Sequence, residues 1–198
     1  MRTSTQAYQA EERDGFRFRG GHSAIDLPAT LQARLKPTPR ELLQTPQDLA
    51  RWLVAAGLAS ERLEADESDL SVARSLREAI YTLANAKLSG GADPADALTV
   101  LNAIAAEPSA TPQLTAQGDI RLVGPASALL ATLARDAVRL FGGAAAGHIG
   151  QCQSPTCTLF FVDTSRSRDR RWCSMSGCGN KAKVADFRRR KREAKAEG

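Results

Sequence analysis

The chain has 198 residues, 42% of them hydrophobic, enough for one moderate domain with a small appendage, and no apolar run approaches the length of a membrane span. Net charge is +5 but segregated: Arg166 to Gly198 holds 12 Lys/Arg against 4 Asp/Glu, while the other 165 residues hold 15 against 18. A mildly acidic body with a strongly basic end points to a polyanionic partner for the C-terminal part alone, not to a protein that is basic all over.

Met1 to Gly20 is polar and charged and lacks the apolar centre of a signal peptide, so the chain is expected in the cytoplasm, where thiols stay reduced. A short strand or hairpin is expected near Phe16 to Leu27, with a turn at Gly20-Gly21. Thr45-Pro46-Gln47-Asp48 opens a helix with a capping hydroxyl, proline in the first turn and an acid at the positive end of the dipole. That helix turns Leu49, Trp52 and Leu53 inward and stops at Gly57.

Leu70, Ala73, Leu76, Ile80, Leu83 and Leu88 recur at helical spacing, so Asp69 to Leu88 is predicted as a long helix ended by Gly90-Gly91. Arg77 and Tyr81 on it are read as surface or rim positions. Asp93-Pro94 opens the next helix, with Leu98, Leu101 and Ile104 as its buried stripe. Leu114, Gln117-Gly118-Asp119, Ile120 and Leu122 suggest a hairpin between Pro112 and Val123. Pro125 then starts a helix through Leu129, Leu133, Ala137 and Leu140, broken by Gly142-Gly143. The expected fold is mainly α with small β-hairpins (α+β): a helical domain over residues 1–145, then a small ββα-like module over residues 146–198.

The only four cysteines, Cys152, Cys157, Cys173 and Cys178, stand in that module with the spacing C-x4-C-x15-C-x4-C. Two short-spaced pairs let two turns each supply two thiolates to a tetrahedral zinc ion. Two disulfides or buried free thiols are the alternative, which the absence of an export signal disfavours. Four protein thiolates leave no open position for water or substrate, so the expected cofactor is one structural Zn2+. His148 is a spare donor, read as a helix-end or loop residue. No nucleophile-base spacing, phosphate-cradling loop or paired carboxylates stand out, and Gly20-Gly21-His22-Ser23 is read as a turn; no enzyme activity is expected.

Between the cysteine pairs, Thr158 to Asp163 fits a strand, and Thr164 to Arg171 a basic turn that would hold Arg166, Arg168, Arg170 and Arg171 around a hairpin tip. Asp163 and Asp169 are expected to orient some of these arginines by ion pairing; a merely solvated charged hairpin is the alternative. After Cys178 a helix is expected, capped by Asn180, with Val184 and Phe187 packing on the metal core. Its five consecutive cations Arg188, Arg189, Arg190, Lys191 and Arg192 would project outward. Together with Lys181 and Lys183, these cations and the hairpin arginines are the candidate nucleic-acid contacts. Arg166, Arg168, Lys181 and Lys183 are the first candidates for base edges.

Cys152 to Cys157, Phe161-Val162-Asp163-Thr164-Ser165-Arg166, Arg170-Arg171-Trp172-Cys173-Ser174-Met175 and Cys178-Gly179-Asn180-Lys181 together resemble the CGNR zinc finger over about 40 residues. The namesake arginine is Lys181, which keeps the charge but lacks the planar fork. Asp26-Leu27, Leu76-Arg77-Glu78-Ala79 and the helical layout resemble the ABATE domain, which accompanies this finger in bacterial proteins described as stress-induced transcription regulators. Ala29 stands where an Asp-x-x-Asn-Thr pattern would place asparagine. The resemblance implies a bacterial regulator whose finger binds duplex DNA and whose body senses a small-molecule effector or forms a homodimer. An RNA- or ribosome-associated binder and a protein-interaction module are the competing readings.

Overall fold

The structure, a computed structural model, describes residues 11–59 and 63–196. A hairpin of β1 (Glu11–Arg13) and β2 (Phe16–Phe18) leads through Gly20-Gly21 to a short helix α1 (Ser23–Asp26) and a helical turn. Two short strands follow, β3 (Leu31–Gln32) and β4 (Arg40–Glu41). The body is then α2 (Pro46–Ala55), α3 (Glu67–Ser89), α4 (Ala95–Ala106), a hairpin of β5 (Thr111–Leu114) and β6 (Ile120–Val123), and α5 (Ala126–Gly142). The chain closes with β7 (Ile149–Gln151), β8 (Phe160–Val162) and α6 (Asn180–Ala196). The fold is mainly helical, and its sheets, among the described residues, are antiparallel pairs of two strands.

Local signals set the helix ends. Thr45 accepts from the N–H of Asp48 while the Asp48 carboxylate accepts from the N–H of Thr45, which closes the N-terminus of α2 on both sides. Asp66 and Asp69 do the same for α3, which begins two residues before the predicted start and ends at Gly90 in the left-handed region. The predicted strand near Phe16 is the second half of a hairpin that starts at Glu11, and residues 23–30 are helical.

One apolar core joins these elements: Trp52 of α2, Leu76 and Ile80 of α3, Leu101 of α4, Leu130 and Leu133 of α5, and Phe18 of β2. Trp52 stacks against Phe18 with ring centroids 6.2 Å apart. Ile149, Phe160 and Val162 of the C-terminal pair β7–β8 belong to the same core. Phe160 is 2% exposed and its ring lies 5.3 Å from that of Tyr81 on α3. The stability of the cysteine segment therefore has a second source besides metal: its strands are buried on the helical body.

Arg77 is not at the surface as the helix pattern suggested. It is 4% exposed, donating to Glu41 at 2.7 Å and to Glu78 at 2.8 Å. Arg34 clamps the same Glu78 through two hydrogen bonds and lies over the Tyr81 ring. Burial pushes the Glu78 carboxyl up, but the hydrogen bonds from Arg34 and Arg77 outweigh it and hold the pKa below the ordinary value. The amphipathic pattern missed this because the partner carboxylate Glu41 lies 36 residues away in sequence.

Replacing Phe160 by alanine removes a side chain shared by the two halves of the chain. Urea unfolding of Phe160→Ala is expected to show a loss of about 3–5 kcal/mol in a transition that includes the helical signal. An unchanged midpoint for the helices would mean that β8 is not part of their core.

Candidate metal centre and basic surface

The four sulfurs converge. The Sγ atoms of Cys152, Cys157, Cys173 and Cys178 all lie within 4.8 Å of one another, with Cys157–Cys173 at 3.8 Å and Cys173–Cys178 at 3.7 Å. A disulfide would bring two sulfurs to about 2.05 Å. A tetrahedron with zinc–sulfur arms of about 2.3 Å has edges of about 3.8 Å, so the cluster fits one zinc ion.

Backbone geometry explains the spacing. In the first knuckle the N–H of Cys157 bonds the Ser154 carbonyl, and the N–H of Cys152 bonds the Leu159 carbonyl across the turn. In the second, residues Met175–Gly179 form a wide turn with π-helical pairing, which brings the side chains of Cys173 and Cys178, five positions apart, to the same side. Ser174 caps this turn by accepting from the N–H of Gly177 at 3.1 Å. The cap is therefore Ser174 and not Asn180, which is already helical because α6 continues directly from the wide turn.

The electrostatics also favour a cation. Hydrogen bonds from Cys157 and Cys173 push the Cys152 thiol down to about 2, whereas the bond to Cys152 pushes Cys157 up to about 11 and drives Cys173 further up. Among these three, negative charge is favoured on Cys152 and disfavoured on Cys157 and Cys173. When bound, zinc would neutralise the thiolates and cross-link the two knuckles, and with four sulfur donors it keeps no open coordination position.

Arg170 and Asp163 join this cluster to the body. The Arg170 guanidinium donates to the carbonyls of Trp172, Cys173 and Arg19 at 2.8 to 3.0 Å and lies 4.3 Å over the Phe161 ring. The neighbouring N–H of Val162 donates to the Gly20 carbonyl at 2.7 Å. Asp26, 1% exposed, accepts from the N–H groups of Arg19 and Gly20 and so fixes the loop that receives Arg170. Gly150 faces Phe161 across the β7–β8 pair, where an added Cβ would stand 2.7 Å from the ring; glycine lets the ring lie flat.

Asp163 is 7% exposed and accepts from the N–H of Ser165 and of Arg170, both at 2.9 Å. Asp169 accepts from the Ser167 hydroxyl. These carboxylates bond chiefly the loop backbone and its hydroxyl, and of the guanidinium pairing expected from the sequence the attraction between Asp163 and the Arg170 charge is present. Burial raises the Asp163 pKa, but the bonds from Ser165 and Arg170 outweigh it and hold it below the ordinary value.

The remaining cations face outward. Arg166, Arg168 and Arg171 are exposed; Arg168 pairs with His148 Nε2, and Arg171 donates to Gln153 at 2.7 Å and lies near the Trp172 ring. Lys181, Lys183 and Arg188, Arg189, Arg190, Lys191, Arg192 are exposed along α6. Arg170, half-buried, is the exception. Val184 and Phe187 correct the sequence reading, because they are 47% and 61% exposed and do not pack on the metal core. The wide turn sets the phase of α6 so that Ala182, half-buried, faces inward in their place. In the body, Ala29 is 4% exposed, and the Thr30 hydroxyl donates to the Leu27 carbonyl.

Residues 148–191 match the CGNR zinc finger family. Residues 21–144 match ABATE, a family described as "Putative stress-induced transcription regulator". The chain belongs to the ABATE family. No curated protein matches the chain. Neither family description names an enzymatic activity. Among the described residues no helix is long and apolar enough to cross a membrane.

Metal analysis of Cys173→Ser is expected to show loss of the single zinc that the wild type carries. Asp163→Asn tests the loop. A carboxylate whose pKa is depressed by folding stabilises the folded state above its ordinary pKa of about 3.9, and that contribution fades as pH falls through the folded value. Asp163→Asn is expected to be less stable than wild type in urea at pH 7, with the difference narrowing below about pH 4. A pH-independent difference would assign the effect to shape alone.

Proposed function

We propose that this chain is a cytoplasmic, zinc-dependent transcription regulator that binds duplex DNA through its C-terminal module. The observation that carries the reading is the sorting of arginines: Arg170 is turned inward to join the metal cluster to the body, while Arg166, Arg168 and Arg171 and the cations of α6 stay exposed. A charged surface that served only solubility has no need of a metal-braced frame behind it.

Phosphate contacts would supply most of the affinity and fix orientation. Lys181 would act as a point charge toward phosphate, without the bidentate geometry of arginine. The body would carry regulation. A cavity of about 810 Å³ between the β1–β2 hairpin and α2, bordered by Val54, Ala55 and Leu63 with Arg51 and Glu64, would take a small effector. The β5–β6 hairpin, with Leu114 78% and Ile120 76% exposed on one face, would pair with a second copy.

If about six cations meet phosphates, the slope of log affinity against log salt concentration is expected to be about −5 on duplex DNA. Competition at one salt concentration should rank duplex DNA above structured RNA and single strands. A salt-insensitive interaction, or no binding to any duplex, would overturn the reading; preference for RNA would favour the competing one, in which Trp172 and Phe187 stack on bases.

A further inference from the structure

The α6 helix carries eight Lys/Arg against two Asp/Glu, and they are not spread evenly around it. Residues three and four apart share a helix face, so Val184, Phe187 and Lys191 form one stripe. Lys181 and Arg188 flank it on one side, Lys183 and Arg190 on the other. Asp186 and Glu193 lie just behind the second row, three or four residues from Lys183 and Arg190, and both pair with Arg189 on the far face, at 3.2 Å and 3.8 Å. The front of the helix is thus a pair of exposed apolar side chains between two rows of exposed cations, and both acids are held by Arg189 behind them.

We propose that this face of α6 lies in the major groove of B-form DNA, with Phe187 and Val184 contacting thymine methyl groups while the flanking cations hold the two phosphate backbones. This rests on the DNA-binding reading above and adds to it the element that reads sequence, in place of the hairpin arginines and Lys181. The physical basis is the match of shapes and charges. The groove is about 12 Å wide and admits a helix, its floor offers the C5-methyl of thymine to apolar contact, and its rims are phosphates on both sides. A-form RNA has a major groove too narrow and deep for the same approach. Two apolar residues are also too few to hold a helix in a lipid interface.

The test uses the full-length, zinc-loaded chain and a pool of random-sequence duplexes. Wild type is expected to enrich a thymine-containing sequence. Phe187→Ala should bind that duplex about tenfold more weakly, with unchanged salt slope and unchanged affinity for unselected duplex. Deoxyuridine in place of thymidine, which removes only the methyl group, should weaken wild type and leave Phe187→Ala unaffected. Ala185→Ser, an exposed position on the far face four residues before Arg189, should match wild type. Because Phe187 is 61% exposed, its substitution leaves zinc content and helicity unchanged, and both are measured as controls. Equal selection by wild type, Phe187→Ala and Val184→Ser, with no effect of deoxyuridine, would overturn this assignment while leaving DNA binding standing. Absence of wild-type binding to any duplex, or tighter binding to single strands or anionic vesicles, would overturn both.

Discussion

Four sulfurs held within 4.8 Å of one another can be thiolates together only around a cation. Hydrogen bonding lowers the Cys152 pKa and raises that of Cys157, so without a cation the thiolates compete. When bound, zinc would resolve that competition and cross-link the two chain turns. The basic loop and the last helix take their direction from this constraint: the loop of residues 164–171 spans the two knuckles, and α6 leaves the second one from the wide turn at Met175–Gly179.

The metal unit is not tethered to the body by a linker alone. Phe160 and Val162 enter the helical core, Val162 hydrogen-bonds Gly20, and Arg170 binds carbonyls on both sides of the seam. Asp26, buried beneath this seam, orders the receiving loop through the N–H groups of Arg19 and Gly20. Helix α1, which carries Asp26, is thus joined through Arg19 and Gly20 to the base of the basic loop. The ion-pair group of Arg34, Arg77, Glu41 and Glu78 fixes β4 to α3 in the same way, through buried charge matched by hydrogen bonds.

Much of this was legible locally. Thr45 with Asp48, and the glycine at position 90, marked helix ends because caps act within a few residues of sequence, and the cysteine spacing gave the metal cluster because each knuckle is a single turn. Arg170 was misleading for the opposite reason: it looks like its neighbours in sequence, and its distinguishing partner, the Arg19 carbonyl, is 151 residues away. Arg77 posed the same problem through Glu41. Val184 and Phe187 were legible as a shared face but not as an exposed one, since the phase of α6 depends on a wide turn that periodicity does not reveal. The exposure of that face is what makes it a candidate contact surface.

The central claim is that zinc and the seam aim the basic surface, as opposed to the C-terminal cations acting as a loose polycation. The most direct measurement is the affinity of the full-length chain for one duplex as a function of salt, before and after zinc is removed by a chelator and again after zinc is restored. The expected result is a loss of binding of at least about tenfold at fixed salt, with a shallower salt slope, both reversed by zinc. Unchanged affinity and slope in the metal-free chain would contradict the claim and leave only a charged tail.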